Sequence, residues 1–222
     1  MKMPKFFKKR WGKNGTSKAT GFTLIELLIV IAIVAVISVV VILTLNPAEL
    51  LKQARDATRL SDMETIDKAL NIVSADVPTP YMGKANVIYI SLPDAGATDD
   101  SQATDNCSIG MKAALPVPPP GWTYHCVTPG NYRKVDGNGW IPVNFTNVSA
   151  GAPFSALPVD PKNDIASGNY YTYVTGGSWA VVSLLESEKY LKQNATNDGG
   201  TDAGRFEKGN DLSLWAKASG LV

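Results

Sequence analysis

Glu26 is the residue of this 222-residue chain whose position most requires a chemical explanation, because it is an acid at the head of a long apolar segment. Residues 27–45 carry no charged side chain. A charge inside a bilayer is costly, so an acid that remains there usually has a partner or marks a functional site. The alternative is an acid at the headgroup level, where the positive end of the helix dipole favours it.

The part of the chain before Glu26 and the part that contains and follows it have net charges of opposite sign. Residues 1–21 contain seven of the 21 Lys and Arg residues and none of the 20 acids, so residues 22–222 have a net charge of −6. Lys and Arg are retained on the cytoplasmic side of a membrane segment. We therefore expect residues 1–21, the leader, on the cytoplasmic side of the membrane and the bulk of the chain on the opposite side.

The apolar run is long enough to cross a membrane as a helix. Its nineteen uncharged residues exceed the 7–15 residues of a secretory signal core and approach the ~20 residues that span a bilayer. A conventional cleavage site of small residues would follow the apolar run, but Asn46-Pro47-Ala48-Glu49 stands there instead. Gly21, the small residue that could mark a cleavage site, precedes the apolar run.

A basic leader, then Gly21-Phe22-Thr23-Leu24-Ile25-Glu26, then an apolar helix resembles the type IV prepilin signal of type IV pilins and of the pseudopilins of type II secretion. The resemblance implies removal of the leader between Gly21 and Phe22 by a prepilin peptidase, N-methylation of Phe22, and a role for Glu26 in filament assembly. The new α-amino group, with a reference pKa of about 8, is mostly cationic at neutral pH. We expect it to pair with Glu26 in the same or a neighbouring subunit.

The fold that we predict is α+β, with a long N-terminal helix packed on a small antiparallel sheet, as in pilins. Its segments are a basic leader (1–21), a transmembrane and filament-core helix (22–45), an amphipathic helix (46–76) and a β-rich extracytoplasmic head (77–222). Pro47 predicts a kink or local unwinding near Thr44 to Asn46 within one continuous helix.

The amphipathic helix has a predicted apolar face and a predicted polar face. Steps of three or four residues, or their multiples, define the apolar face, which comprises Leu51, Ala54, Ala57, Met63, Ile66, Leu70 and Val73. The polar face comprises Lys52, Arg55, Asp56, Arg59, Asp62, Glu64 and Asp67.

Four strands are predicted in the head from their β-branched and aromatic residues. They are residues 87–92, 122–127, 170–174 and 178–185, and Gly176-Gly177 predicts a hairpin between the last two. Residues 157–161, with the strands that follow, resemble the start of the sheet in pilin and major-pseudopilin heads.

Cys107 and Cys126 are the two cysteines, and their expected location outside the membrane favours a disulfide. Metal binding by Cys107, Cys126 and His125 is the alternative, although their spacing does not match a known zinc site. Some pseudopilins bind calcium after the sheet, and two sets of residues offer oxygen ligands here, namely Asp160, Asn163 and Asp164, or Asp198, Asp202 and Asp211. The alternative is turns with capping acids, so we assign no metal ligand and no cofactor.

Motifs for catalysis or phosphate binding are not found in the sequence, so we expect no enzyme. We therefore interpret the chain as a structural subunit of a type IV pilus or type II secretion pseudopilus. We expect it to be anchored in the cytoplasmic membrane before assembly and to lie on the cell surface afterwards. Its expected partners are its own copies, other pilin-like subunits, the prepilin peptidase, the inner-membrane assembly machinery and the membrane, with no nucleic-acid contact evident. Glu26 favours a body-forming subunit. The alternative is a single-pass anchor carrying an extracytoplasmic binding or enzymatic domain.

Overall fold

The structure, a computed structural model, describes residues 21–98, 100 and 102–220. The basic leader predicted over residues 1–21 therefore lies outside the described residues, except for Gly21. The chain forms two compact units that divide after Asn46.

The first unit contains helix α1, Leu24–Leu45. Every side chain of α1 whose burial is described is exposed. The helix ends where Asn46 adopts a left-handed backbone conformation, with φ 41° and ψ 72°. Pro47 has no N–H to continue the helical hydrogen bonds, and Asn tolerates left-handed geometry, so the chain changes conformation between them. Of the predicted alternatives near Thr44 to Asn46, a kink or local unwinding, the structure shows unwinding at Asn46, which separates α1 from the helix that starts at Pro47.

The second unit begins with helix α2, Pro47–Asp76. Its sheet contains β1 (Val87–Pro93), β2 (Thr123–Val127), β3 (Tyr171–Thr175), β4 (Trp179–Leu184) and β5 (Arg205–Gly209). The strand order is β2-β1-β3-β4-β5. Three shorter α-helices complete the unit, α3 (Ile109–Ala114), α4 (Glu188–Tyr190) and α5 (Ser213–Ser219), together with a 3₁₀ turn at Phe145–Asn147 and a π-helical turn at Leu191–Ala195.

The predicted α+β class is confirmed, and all four predicted strands are present. The β3–β4 hairpin is confirmed by antiparallel pairing from Tyr171 with Ser183 to Thr175 with Trp179. The sheet is not wholly antiparallel, however, because β1 and β2 run parallel. Strand β5 was not predicted, since its sequence Arg-Phe-Glu-Lys-Gly has one apolar residue and lacks the alternation that marks a half-buried strand.

Two hydrophobic cores lie on the two faces of the sheet. Alternation along β1 places Val87 and Tyr89 in one core and Ile88 and Ile90 in the other. The first core joins the sheet to α2 and to the segment around Trp140 and Phe145. In the second core, residues of α5 cover the opposite face, namely Leu214, Trp215 and Ala218.

The predicted apolar face of α2 was wrong for the first half of the helix. Leu51, Ala54 and Ala57 are exposed, whereas Asp56 and Arg59 are completely buried. In the second half the prediction is confirmed by buried Met63, Ile66, Leu70 and Val73. Arg59 lies four residues before Met63, and Asp56 lies three residues before Arg59, so one buried stripe continues through both halves of the helix.

Candidate functional site

The predicted cleavage position lies in a non-helical segment immediately before α1. Gly21, Phe22 and Thr23 have no regular secondary structure, and Phe22 is 89% exposed. Among the described residues, no atom lies within 4 Å of the place that a Cβ on Gly21 would occupy. The Gly21–Phe22 bond is therefore open on the side of the described chain.

Glu26 closes a capping box at the start of α1. Its Oε2 accepts hydrogen bonds from the backbone N–H and the hydroxyl of Thr23, both at 2.8 Å, and its own N–H donates to Thr23 Oγ1 at 3.3 Å. A capping box satisfies two N–H groups that the first helical turn leaves without partners. The Glu26 carboxylate thus has a local partner, Thr23, that the sequence interpretation did not name, although the order Thr-x-x-Glu could have revealed it.

Helix α1 is long and apolar enough, over Leu24–Ile42, to cross a membrane. Its two hydroxyl side chains donate to the helix backbone, Ser38 to Val34 O at 2.7 Å and Thr44 to Val41 O at 3.0 Å. These bonds leave no free hydroxyl donor to be desolvated in apolar surroundings.

Cys107 and Cys126 are joined by a disulfide in the second unit. Cys126 lies on the edge strand β2, where the Asn106 side chain accepts from Cys126 N–H at 2.9 Å and donates to Cys126 C=O at 2.8 Å. Asn106 therefore takes the place of a neighbouring strand at this position. Burial lowers the pKa of His125, whose Nδ1 lies 2.9 Å from Ala103 O. In this bonded form the two sulfurs are not free thiolates for a metal.

The residues considered for calcium have protein partners. Asp160 binds Arg59, Asn163 bonds to Ser91, and Asp164 accepts from the N–H of Ser167. In the later loop, Asp198 accepts from Gly200 and Glu207 N–H groups, Asp202 pairs with Arg205 at 3.4 Å, and Asp211 accepts from Ser213. These side chains organise turns and pair with arginines.

Sequence reasoning missed a cluster of charges that attaches α2 to the rest of its unit. Arg59 binds Asp160 through two nitrogens, at 2.6 and 2.9 Å, and reaches Asp56 at 2.7 Å and Glu186 at 2.9 Å. Glu186 also accepts from Arg55 at 2.7 Å and pairs with Lys162. Three cations thus balance three anions. The sequence did carry one signal for Asp56 and Arg59, because their helical spacing continues the buried stripe of α2.

The predicted site residues fall in two places. Gly21, Phe22 and Glu26 lie together at the start of the first unit, and Cys107 and Cys126 lie together in the second. An exposed apolar helix headed by an acid, in one chain with an α+β unit, is the arrangement expected of the class of pilin-like precursors.

Comparison with known families agrees with this class. Residues 16–42 match the prokaryotic N-terminal methylation motif, the prepilin-type signal of type IV pilins and pseudopilins. The resemblance inferred from Gly21 to Glu26 is thereby confirmed. No curated protein and no solved structure matches this chain.

Proposed function

We propose that this protein is the precursor of a structural subunit of a type IV pilus or a type II secretion pseudopilus-like filament. The observation that carries the proposal is an apolar helix, exposed at every side chain whose burial is described, whose first turn holds Glu26 inside a methylation motif. In this proposal, residues 1–21 are the leader, 22–45 the membrane and filament-core helix, 46–76 the amphipathic helix and 77–222 the extracytoplasmic head.

The first step is cleavage between Gly21 and Phe22 by a prepilin peptidase, followed by N-methylation of Phe22. The exposed, non-helical position of this bond supports access by an enzyme. Since the described chain leaves space around Gly21, its own packing does not require a glycine there. A requirement for a small residue at position 21 would then come from the peptidase.

The second step is assembly through α1. Its exposed apolar surface needs lipid around it in the cytoplasmic membrane and packed helices of other subunits in a filament. After cleavage, the Phe22 ammonium lies next to Thr23, which Glu26 already contacts. We propose that this ammonium pairs with Glu26 of the same or a neighbouring subunit, with further pilin-like subunits and the inner-membrane machinery as partners.

Mass spectrometry of the amino terminus, combined with electron microscopy of a sheared cell-surface fraction, tests both steps. We expect a chain that begins with methylated Phe22 in the sheared filaments. A Gly21→Leu variant should retain residues 1–21 and stay in the membrane, whereas Ala32→Leu, inside α1, serves as a control that keeps the cleavage position. A mature chain beginning at Met1 or after Leu45 would contradict the proposal.

One observation favours a second candidate, a single-pass protein whose α1 is only an anchor. Thr23 satisfies the Glu26 carboxylate within the same chain, so a capping role explains the acid without any neighbouring subunit. Absence of the protein from the sheared filament fraction, with the leader retained, would favour this anchored binding or enzymatic domain.

A further inference from the structure

A cavity of about 220 Å³ lies on the face of the sheet that α5 covers, away from α2. Aromatic side chains form much of its wall, namely Tyr124, Tyr170 and Trp215, and Asp202 and Arg205 supply its charged groups. Val117, which is 93% exposed, lies at its border. The cavity thus combines aromatic surface with one acid and one base, as small-molecule sites do.

Two residues that line this cavity each have a buried N–H donor without a hydrogen-bond acceptor among the described residues. Trp215 is 8% exposed, and its indole Nε1 has no partner there. The Nη1 of Arg205 is also buried and without a partner. Both nitrogens are covered by protein atoms rather than open to the cavity, so a ligand would meet the aromatic rings and the exposed parts of Asp202 and Arg205, whose side chains are 25% and 19% exposed.

The charged groups are held in place before any ligand arrives. Arg205 Nε lies 3.4 Å from Asp202 Oδ2, and its guanidinium carbon lies 5.3 Å from the centre of the Trp215 ring. Backbone bonds fix the turn, because Arg205 N–H donates to Asp202 C=O and Asp202 N–H donates to the buried Glu207, at 3.0 and 2.8 Å. Such preorganisation lowers the entropy lost on binding.

The arrangement of these groups selects among ligand classes. A hydroxyl group both donates and accepts, so a polyol can use the Asp202 carboxylate and the exposed part of the Arg205 guanidinium together. A carboxylate ligand would be attracted by Arg205 but repelled by Asp202, whereas the hydroxyls of a polyol can bond to both groups. The tyrosine and tryptophan rings suit a ligand with an apolar face. We propose that this cavity binds a single hexopyranose unit, whose C–H face lies on the aromatic wall and whose hydroxyls meet Asp202 and Arg205.

The proposal does not depend on filament assembly and is tested on the full chain. The protein is purified in dimethyldodecylamine N-oxide, a detergent without a sugar headgroup, and titrated by saturation-transfer NMR. The probes are free glucose, galactose and mannose, their methyl glycosides, sodium acetate and adenosine. We expect at least one hexose to bind saturably, with a dissociation constant on the order of 1 mM.

Variants locate the binding. Arg205→Ala should weaken it at least about tenfold, and Trp215→Leu, which removes the indole ring from the cavity wall, should weaken it several-fold. Lys208→Ala is the matched control, because it removes one positive charge from the same strand and does not line the cavity. Circular dichroism verifies that each variant is folded.

The outcomes are distinct. Binding of methyl glycosides as well as free hexoses supports recognition of the end of a glycan, and binding of free hexoses alone supports a soluble sugar. The proposal is overturned if no hexose saturates, if acetate or adenosine binds as tightly as the best hexose, or if Arg205→Ala and Lys208→Ala have equal effects.

Discussion

At the scale of single residues, Arg59 has the most demanding environment in the second unit. Its side chain and that of Asp56 are 0% exposed, and Asp160 is 2% exposed. Removing charges from water costs several kcal/mol per ion, so such a cluster is stable only when every charge is paired. Burial acts to lower the pKa of Arg59, but its hydrogen bonds to Asp160, Asp56 and Glu186 outweigh burial and raise it. The arginine therefore remains charged.

Replacing Arg59 should strongly destabilise the second unit, because Asp56 and Asp160 would stay buried without the Arg59 cation. We expect Arg59→Met to lower the free energy of unfolding by about 3–5 kcal/mol. Urea titration of the full chain in micelles, followed by tryptophan fluorescence, measures the change. Lys52→Met is the control, since Lys52 is 44% exposed and its pair with Glu49 is 3.8 Å long, which is worth less than about 1 kcal/mol. Equal effects of the two variants would contradict the role of the cluster.

Glu186 predicts a measurable dependence on pH. Burial acts to raise its pKa, but hydrogen bonds from Arg55, Lys162 and Arg59 outweigh burial and lower the pKa from 4.5 to about 2. A lowered pKa stabilises the fold above about pH 4.5, and this stabilisation, roughly 3 kcal/mol, is lost as the pH falls from 4.5 to 2.

The difference in unfolding free energy between the unmodified chain and Glu186→Gln isolates this effect. We expect the difference to be large at pH 7 and to shrink steadily below pH 4.5. Glu188→Gln, at a side chain that is 85% exposed, should show little difference at any pH. A difference for Glu186→Gln that stays constant between pH 7 and pH 2.5 would rule out the charge interpretation.

The two roles of Glu26 are separable by substitution. Glu26→Ala removes both the capping bonds to Thr23 and the charge, whereas Glu26→Gln retains a capping acceptor and removes only the charge. If the charge pair with Phe22 drives assembly, both variants should insert into the membrane and both should be strongly depleted from sheared filaments. Quantitative immunoblotting measures the depletion. Filaments at the normal level with Glu26→Gln would show that capping is sufficient and that the charge pair is wrong.

At the scale of elements, the edge strand β2 is held from outside by the Cys107–Cys126 bond and by the Asn106 amide. An unprotected edge strand presents free N–H and C=O groups to other chains. The disulfide also closes a segment with a sequence separation of 19. Strand β2 therefore depends on covalent and side-chain contacts as well as on its parallel pairing with β1.

Loss of the disulfide should destabilise the second unit without removing its fold. For a loop of this size we expect the Cys107→Ser, Cys126→Ser double variant to lose about 3 kcal/mol in unfolding free energy. Thermal and urea unfolding measure this, with the unmodified chain kept oxidised as reference. Alkylation without prior reduction should label neither cysteine in native protein. Labelling of both thiols in protein from the cell surface would exclude the bond.

At the scale of the whole molecule, the chain divides after Asn46 into an exposed apolar helix and a unit with two cores. The two have different solvent requirements. The apolar surface of α1 is exposed along its length, while most large apolar residues of the second unit are buried. Only the first unit should therefore require lipid or detergent.

A fragment of residues 47–222, exported to the periplasm so that its disulfide can form, should be monomeric in buffer without detergent. Its cores and the Arg59 cluster are all contained within this range. Size-exclusion chromatography with light scattering and near-ultraviolet circular dichroism test the expectation, and the full chain, which should aggregate in the same buffer, is the comparison. Aggregation of the fragment would show that the second unit needs residues 1–46.

Much of the fold was predictable, because strands such as 87–92 and the β3–β4 hairpin have local signals in β-branched residues and in Gly176-Gly177. The failures have a common cause. Asp56 and Arg59 were assigned to the polar face of α2, since a pattern of single residues cannot show that Asp160 lies ready to pair with Arg59. Strand β5 was missed because its buried residue is Glu207, whose partners are the N–H groups of Thr201 and Asp202.

The prepilin-type signal can be identified from the sequence alone, because its information is local: a glycine, a threonine and an acid within six residues, followed by an apolar run. The break at Asn46-Pro47 is also local in origin, since proline cannot extend the hydrogen bonds of the preceding helix. Contacts between distant parts of the chain, by contrast, decide which charges are buried and which residues surround the cavity at Trp215. The Arg59–Asp160 pair joins segments about 100 residues apart, and the cost of burying the Arg59 charge is offset by a partner that no local pattern identifies.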